Sequence, residues 1–269
     1  MEITSRWKGS MSGNRRMPVP AIPRIEAPLI ELFSSIQGEG VLVGFRQVFI
    51  RFADCNLNCD YCDTPFQAQE TYRIAKDPAS TDFESRPNPA NLLEIGELLG
   101  DWTRSWPRLH HSLALTGGEP LLHVDVLREW LPTVKSVLPV FLETNGTLPD
   151  HLSAVLASIQ WVSMDVKLES TSGVPTPWEE HKAFMRCAGE KLCQVKAVID
   201  DSTSGEELTC LAKMMNQHAM GLPLIVQPRT VQSQPALDST RLLACQATLL
   251  DIYPLVRVIP QVHQWLGIA

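Results

Sequence analysis

From about residue 29 onward, short β-branched and apolar runs alternate with stretches in which apolar positions recur every three or four residues. That alternation is the signature of repeated βα units feeding a parallel sheet. It predicts strands at 48–52, 112–115, 140–142, 161–165, 194–199, 224–227 and 255–259. Helices are predicted near 91–104, 125–137, 150–159, 178–188, 204–219 and 239–252, with Asp150, Ser204 and Ser239 as N-caps. Glu206 and Glu207 then fall in a first turn, where acids favour the helix dipole. Six or seven such units amount to an α/β fold of the partial (β/α)6-barrel type.

Two stretches break the pattern. Residues 1–28 carry Arg6, Lys8, Arg15, Arg16 and Arg24 against Glu2 and Glu26, with four prolines and no sustained periodicity. They are expected to form a flexible tail, leaving 29–269 as one core domain. Residues 66–91 hold Pro78, Pro87 and Pro89 among many polar positions, and read as a long crossover or a lid over the loop before them.

A length of 269 residues with 44% hydrophobic content is enough for one large core. The net charge of −7 offers no electrostatic footprint for nucleic acid or an anionic membrane. No apolar run is long enough to cross a bilayer and the start lacks the apolar segment of a secretory signal, so a cytoplasmic protein is expected. In that reducing compartment the seven cysteines are not read as disulfides. Cys210 and Cys245 lie in helical apolar patterns and read as small buried hydrophobes, while Cys187 and Cys193 are too few to hold a second cluster.

The other three, Cys55, Cys59 and Cys62, follow the apolar run 47–53 directly. Structural zinc normally has four protein ligands, and electron-carrying clusters usually have four cysteines. Three thiolates on one loop suit three irons of a four-iron, four-sulfur cluster, with the fourth iron open to a non-protein ligand. Reactive groups of parallel barrels collect at the C-terminal ends of the strands, where further motifs follow: Thr116-Gly117-Gly118-Glu119-Pro120, Glu143-Thr144-Asn145-Gly146, Ser163-Met164-Asp165-Val166-Lys167 and Gln227-Pro228-Arg229. Two glycines let backbone pass close to a ligand, and Glu119 can accept from an ammonium group. The Asn-Gly pair is either a ligand contact or a plain turn; Asp165 and Lys167 either bind polar ligand groups or pair with each other.

The cysteine spacing, Tyr61 before the third cysteine and the Gly-Gly-Glu-Pro turn together resemble the radical S-adenosylmethionine superfamily. The resemblance implies a partial barrel in which the cofactor's methionine moiety chelates the open iron. It implies Tyr61, Asp63, Gly118, Glu119, Thr144, Asn145, Ser163, Asp165, Lys167 and Gln227 as cofactor contacts.

A more specific likeness lies upstream. The run Phe33-Ser-Ser-Ile36-Gln37-Gly38-Glu39-Gly40, the spacing to Arg51 and the Cys62-Asp63-Thr64 triplet resemble the 7-carboxy-7-deazaguanine synthase family over most of residues 30–269. This implies conversion of 6-carboxy-5,6,7,8-tetrahydropterin to 7-carboxy-7-deazaguanine with loss of ammonia, on the deazapurine route to queuosine-type tRNA bases. It further implies a homodimer served by an electron donor such as flavodoxin. Substrate contacts would be Ile36, Gln37, Gly38, Glu39, Arg51 and Thr116, joined by Gln261 and His263 of the closing Gln-x-His segment, with Thr64 on Mg2+. Arginine suits a substrate carboxylate through its bidentate fork, and glutamine can donate to and accept from a pterin edge. Read from the residues alone, the Gln-Gly-Glu-Gly run is also compatible with a surface turn and Arg51 with an outward position. The fourth strand departs from the Ser-Pro-Lys of several family members. Two rival readings are a glycyl-radical-installing activase, which has no evident use for Gln37, Arg51 and Thr64, and a zinc-binding adaptor, which needs a fourth protein ligand.

Overall fold

The computed structural model describes residues 25–62 and 64–268. Its frame is one ten-stranded sheet: β1 (Leu29–Ile36), β2 (Arg46–Phe52), β3 (Thr71–Ala75), β4 (Phe83–Pro87), β5 (Ser112–Gly117), β6 (Val140–Thr144), β7 (Trp161–Val166), β8 (Leu192–Ile199), β9 (Leu224–Pro228) and β10 (Val256–Val258). The spatial order is β10-β9-β8-β7-β6-β5-β2-β1-β3-β4. From β2 through β5 to β10 all neighbours are parallel and follow chain order, and each connection carries a helix, the one from β2 to β5 also carrying the β3–β4 hairpin. All seven strands predicted from periodicity are present, and the sheet is open, ending at β10 and β4.

The helices α1 (Leu92–Ser105), α2 (Val124–Val134), α3 (Pro149–Val155), α4 (Trp178–Ala188), α5 (Gly205–His218) and α6 (Ser239–Leu250) pack on one another in sequence. They cover one face of the sheet. Strand alternation explains what remains on the other: in β7 and its exit Val162, Met164 and Val166 are buried core, while Asp165 and Lys167 line a cavity. In β8 Val195, Ala197 and Ile199 join the core, and Gln194, Lys196 and Val198 line the same cavity. The core is therefore the outer layer, and the concave inner face is free for polar side chains.

Several expectations need correction. Residues 66–91 are not irregular: β3 and β4 make a hairpin that extends the sheet beyond β1, with Tyr72 and Ile74 buried, and Gln67, Gln69, Thr71 and Arg73 line the same cavity as Asp165 and Lys167. The strand was hidden because only five residues alternate there between polar flanks. β1, missing from the predicted strands, pairs antiparallel with β2. Residues 1–24 of the expected tail lie outside the described residues, but its end is ordered: Glu26–Ala27 pairs with Ala90–Asn91, and Ala27 is buried. Ser204 caps α5 in a reciprocal capping box with Glu207. The other two caps move by one or two residues. Asp238 rather than Ser239 caps α6, and Asp150 sits in the first turn of α3 behind Pro149. Cys245 is buried as expected, whereas Cys210 is exposed.

Candidate active site

A cavity of about 930 Å³ occupies the concave face. Of the residues singled out in the sequence, Cys55, Cys59, Cys62, Thr64, Tyr61, Gly118, Thr144, Asn145, Ser163, Asp165, Lys167 and Gln227 line it. So do Ile36, Gln37, Gly38, Glu39, Arg51, Thr116, Gln261 and His263. Asp63 lies outside the described residues, and Glu119 is fully buried behind the wall.

The cysteine loop is bound to its neighbours through backbone. Gly118 N–H donates to Phe52 O at 3.0 Å and Glu119 N–H to Asp54 O at 2.8 Å, while Asp60 N–H reaches Ser172 O at 2.8 Å. Here lies the use of the two glycines. Gly117 has φ +119°, and a Cβ on Gly118 would fall 1.9 Å from Asp54 O. Their smallness serves the approach of the cysteine loop.

Glu119 takes a different role from the ammonium acceptor expected of it. Its carboxylate accepts Thr144 Oγ1–H at 2.9 and 3.0 Å, Asn145 N–H at 2.8 Å and Leu121 N–H at 3.0 Å. Burial pushes its pKa up to about 7 even against those hydrogen bonds. Glu119 thus fixes the turn after β6, and Asn145 hands that order to the cysteine loop through Nδ2–H to Asn56 Oδ1 at 2.9 Å. Fully buried His181 donates Nε2–H to Asn145 O at 3.1 Å.

A row of alternating charges crosses the cavity wall. Lys167 Nζ pairs with Asp165 Oδ2 at 2.9 Å, Lys196 Nζ reaches the same oxygen at 3.3 Å, and Lys196 also bonds Glu39 Oε2. Gln261 donates to Glu39 Oε1 at 2.9 Å, and Lys167 sits 5.2 Å from the Tyr61 ring centre. Burial alone would raise the Glu39 pKa, but Lys196 and Gln261 hold it at about 2. Lys167 and Lys196 are desolvated yet raised in pKa by Asp165 and their other anionic neighbours. Two acceptors on this wall, Asp165 Oδ1 and Gln227 Oε1, are buried without a partner among the described residues. Buried acceptors without partners are costly, so these two suit ligand donors.

The Gln37–Leu42 turn does not sit with the other motifs at the C-terminal strand ends. It crosses the N-terminal ends as a floor: Ile36 pairs with Arg46 at the start of β2, and Gln194 near the start of β8 accepts Val41 N–H at 2.6 Å. Gln37 is buried, its amide donating to Gln47 Oε1 at 2.9 Å and Glu143 Oε1 at 2.8 Å and accepting Glu39 N–H at 3.0 Å. It orders the floor from within. His263 packs against Gly38, where a Cβ would come 2.2 Å from its Nδ1, and Val262 N–H bonds Gly38 O at 2.9 Å. At the opposite side Arg51 donates Nε–H to Glu31 at 2.9 Å, and Glu31 also pairs with Arg73 at 3.5 Å.

Gln194, Lys196, Glu31 and Arg73 were not anticipated as site residues, and Glu143 was singled out only as part of the 143–146 motif. Gln194 and Lys196 carried a legible signal, two polar residues spaced by two in an otherwise apolar strand. Glu31 and Arg73 carried none, since their strand pairing is long-range.

Among the described residues no three His, Cys, Asp or Glu side chains converge tightly enough to grip a single metal ion. The donor set nevertheless suits an iron–sulfur cluster, whose irons are spread over several ångströms and prefer soft thiolates. Cys55, Cys59 and Cys62 edge one cavity, and a nearby ammonium, Lys167, lowers the pKa of Cys55 and Cys59 against the burial that raises them, Cys59 to about 11. Cys187, by contrast, donates to Pro149 O at 3.3 Å, away from the site.

The Radical SAM superfamily is matched over residues 49–200. The 7-carboxy-7-deazaguanine synthase of Geobacter sulfurreducens is 40% identical over 243 residues, covering 90% of this chain and 97% of the relative. That of Methanothermobacter thermautotrophicus is 32% identical over 266 residues, 91% and 98% of the two chains. Among solved structures, QueE from Escherichia coli superposes with a TM-score of 0.54 at 18% identity, over 89% of this chain and 95% of that one, a likeness of fold.

Proposed function

The chain belongs to the 7-carboxy-7-deazaguanine synthase family of the Radical SAM superfamily, and from that membership we propose how its residues divide the work. The reaction is that of a carbon–nitrogen lyase: 6-carboxy-5,6,7,8-tetrahydropterin loses ammonia and its ring contracts to 7-carboxy-7-deazaguanine, on the route to queuosine. It is redox-neutral overall, so an electron donor of the flavodoxin type starts turnover without being consumed stoichiometrically by the product.

Cys55, Cys59 and Cys62 would hold the four-iron, four-sulfur cluster. With S-adenosylmethionine it supplies a primary carbon radical that can take hydrogen from the substrate. The chain's own part is binding and orientation. Tyr61, Gly118, Thr144, Asn145, Ser163, Asp165, Lys167 and Gln227 face the cofactor, with Asp165 Oδ1 and Gln227 Oε1 as ready acceptors. Glu119 acts from behind by holding Thr144 and Asn145. Asp63 belongs to the same assignment through its place beside Cys62.

On the substrate side, Arg51 presents a guanidinium to the pterin carboxylate, and Thr116 and the Ile36–Glu39 turn meet the ring with Gln261 and His263. Thr64, on the cavity edge, offers a hydroxyl to Mg2+ that would also take substrate oxygens. The observation that carries the reading is a single cavity edged by the three cysteines and floored by the Gln37–Glu39 turn. A homodimer and a cytoplasmic location complete the proposal; among the described residues no helix is long and apolar enough to cross a membrane.

The test is anaerobic incubation of the reconstituted protein with dithionite, S-adenosylmethionine, Mg2+ and the tetrahydropterin, with products read by mass spectrometry. 7-Carboxy-7-deazaguanine is expected. 5′-Deoxyadenosine alone would keep the radical site and remove the substrate assignment, as a glycyl-radical activase requires. Tight zinc with no iron uptake would return the adaptor reading.

A further inference from the structure

Lys196 has no part in the assignments above, yet it bridges two carboxylates of the cavity. Its side chain is 13% exposed and its Nζ lies between Glu39 Oε2 and Asp165 Oδ2. Across the floor from Glu39 stands a second carboxylate, Glu143. Gln37 ties the two together, donating to Glu143 Oε1 at 2.8 Å and accepting Glu39 N–H at 3.0 Å. Burial and the neighbouring Glu39 push the Glu143 pKa up, whereas Lys196, seated on Glu39, holds that carboxylate ionised.

We propose that Lys196 is a positioning and specificity-determining residue: by clamping Glu39 it keeps that carboxylate acceptor-only and aimed at the ligand beside Glu143, so that the floor selects a heterocycle with adjacent N–H donors. The proposal rests on the substrate class given above and deepens it. An ionised carboxylate has about four acceptor positions, and the contacts of Glu39 to Lys196 and Gln261 leave some of them for a ligand. A ring edge bearing an amino group beside a ring N–H matches such a carboxylate. An oxo group in place of that amino group turns its lone pairs on the carboxylate and is rejected. The Lys196 ammonium needs no contact with the ligand to have this effect, because it sets the charge and direction of Glu39.

The discriminating experiment measures binding of two fluorescent, non-reacting analogues to reconstituted protein with S-adenosylmethionine: 6-carboxypterin, which keeps the 2-amino group, and 6-carboxylumazine, which has oxo there. Wild type should prefer the pterin by about tenfold or more, the usual effect of leaving a buried polar group unpaired. In K196M the preference should collapse toward unity, and K196R, which keeps the charge, should retain it. A purely structural lysine would weaken both ligands equally, so an unchanged ratio in K196M overturns the proposal. Should K196M fail to fold, K196Q decides: a collapsed ratio supports the assignment and an unchanged one overturns it. Equal binding of both analogues by wild type overturns it while leaving the substrate class standing; binding of neither removes the substrate class and the proposal together.

Discussion

Thr144 donates its hydroxyl to both oxygens of the Glu119 carboxylate, at 2.9 and 3.0 Å, within a wholly buried pocket. This bond joins the turn after β5 to the turn after β6, and through Asn145 it orders the cysteine loop. Glu119→Ala would strand the donors of Thr144, Asn145 and Leu121. Each unsatisfied buried donor costs about 1–3 kcal/mol, so a loss on the order of 3 kcal/mol is expected in chemical denaturation. Binding of S-adenosylmethionine should weaken in the same variant. Unchanged cofactor affinity would show that Glu119 is only a structural anchor.

The same pocket makes stability depend on pH in two opposed ways. His181 donates from Nε2 and its buried Nδ1 has no partner among the described residues, so burial lowers its pKa from 6.5 to about 4. The folded state then resists protonation: its stability is complete above pH 6.5 and declines as pH falls toward about 4, by on the order of 2–3 kcal/mol. Glu119 is shifted upward, from 4.5 to about 7, so its contribution is complete below pH 4.5 and is lost as pH rises through about 7. Denaturation midpoints across pH 4–8 should therefore lose their acid-side slope in His181→Gln and their neutral-side slope in Glu119→Gln. Identical slopes in wild type and both variants would contradict these shifts.

Gly118→Ala should fold but load iron poorly. The added Cβ would lie 1.9 Å from Asp54 O, a backbone atom that can yield only by moving the cysteine loop. Iron and sulfide content after anaerobic reconstitution, with circular dichroism as the control for folding, checks this. Full iron content in a folded G118A protein would mean that the loop tolerates the shift.

Arg51 and Glu31 should act as a pair. Glu31 takes Nε of Arg51 at 2.9 Å and so turns the guanidinium on the cavity. Arg51→Ala should raise KM for the tetrahydropterin by about a hundredfold, the worth of a charge-assisted pair, with a smaller change in kcat. Glu31→Gln should raise KM less, and in the Arg51→Ala background it should add little. Additive effects would separate the two residues, and an unchanged KM in Arg51→Ala would remove the carboxylate assignment.

What the sequence determined is what local pattern and covalent spacing can carry. Apolar periodicity of 2 and 3.6 marked all seven parallel strands and six helices, since a strand buried under helices must be apolar whatever its neighbours. The cysteine spacing and Gly117-Gly118 marked the reactive edge, because a ligand loop and a close backbone approach both need residues adjacent in the chain. Only the tertiary structure decided the rest. Antiparallel pairing of β1 with β2 sets Glu31 opposite Arg51, and parallel pairing of β1 with β3 adds Arg73 from about forty residues further along. Packing sealed Glu119 behind the wall and turned it from a ligand contact into a support. The inward row of β8 met a turn more than 150 residues earlier, putting Lys196 on Glu39, and no local pattern states which charge an inward lysine will meet.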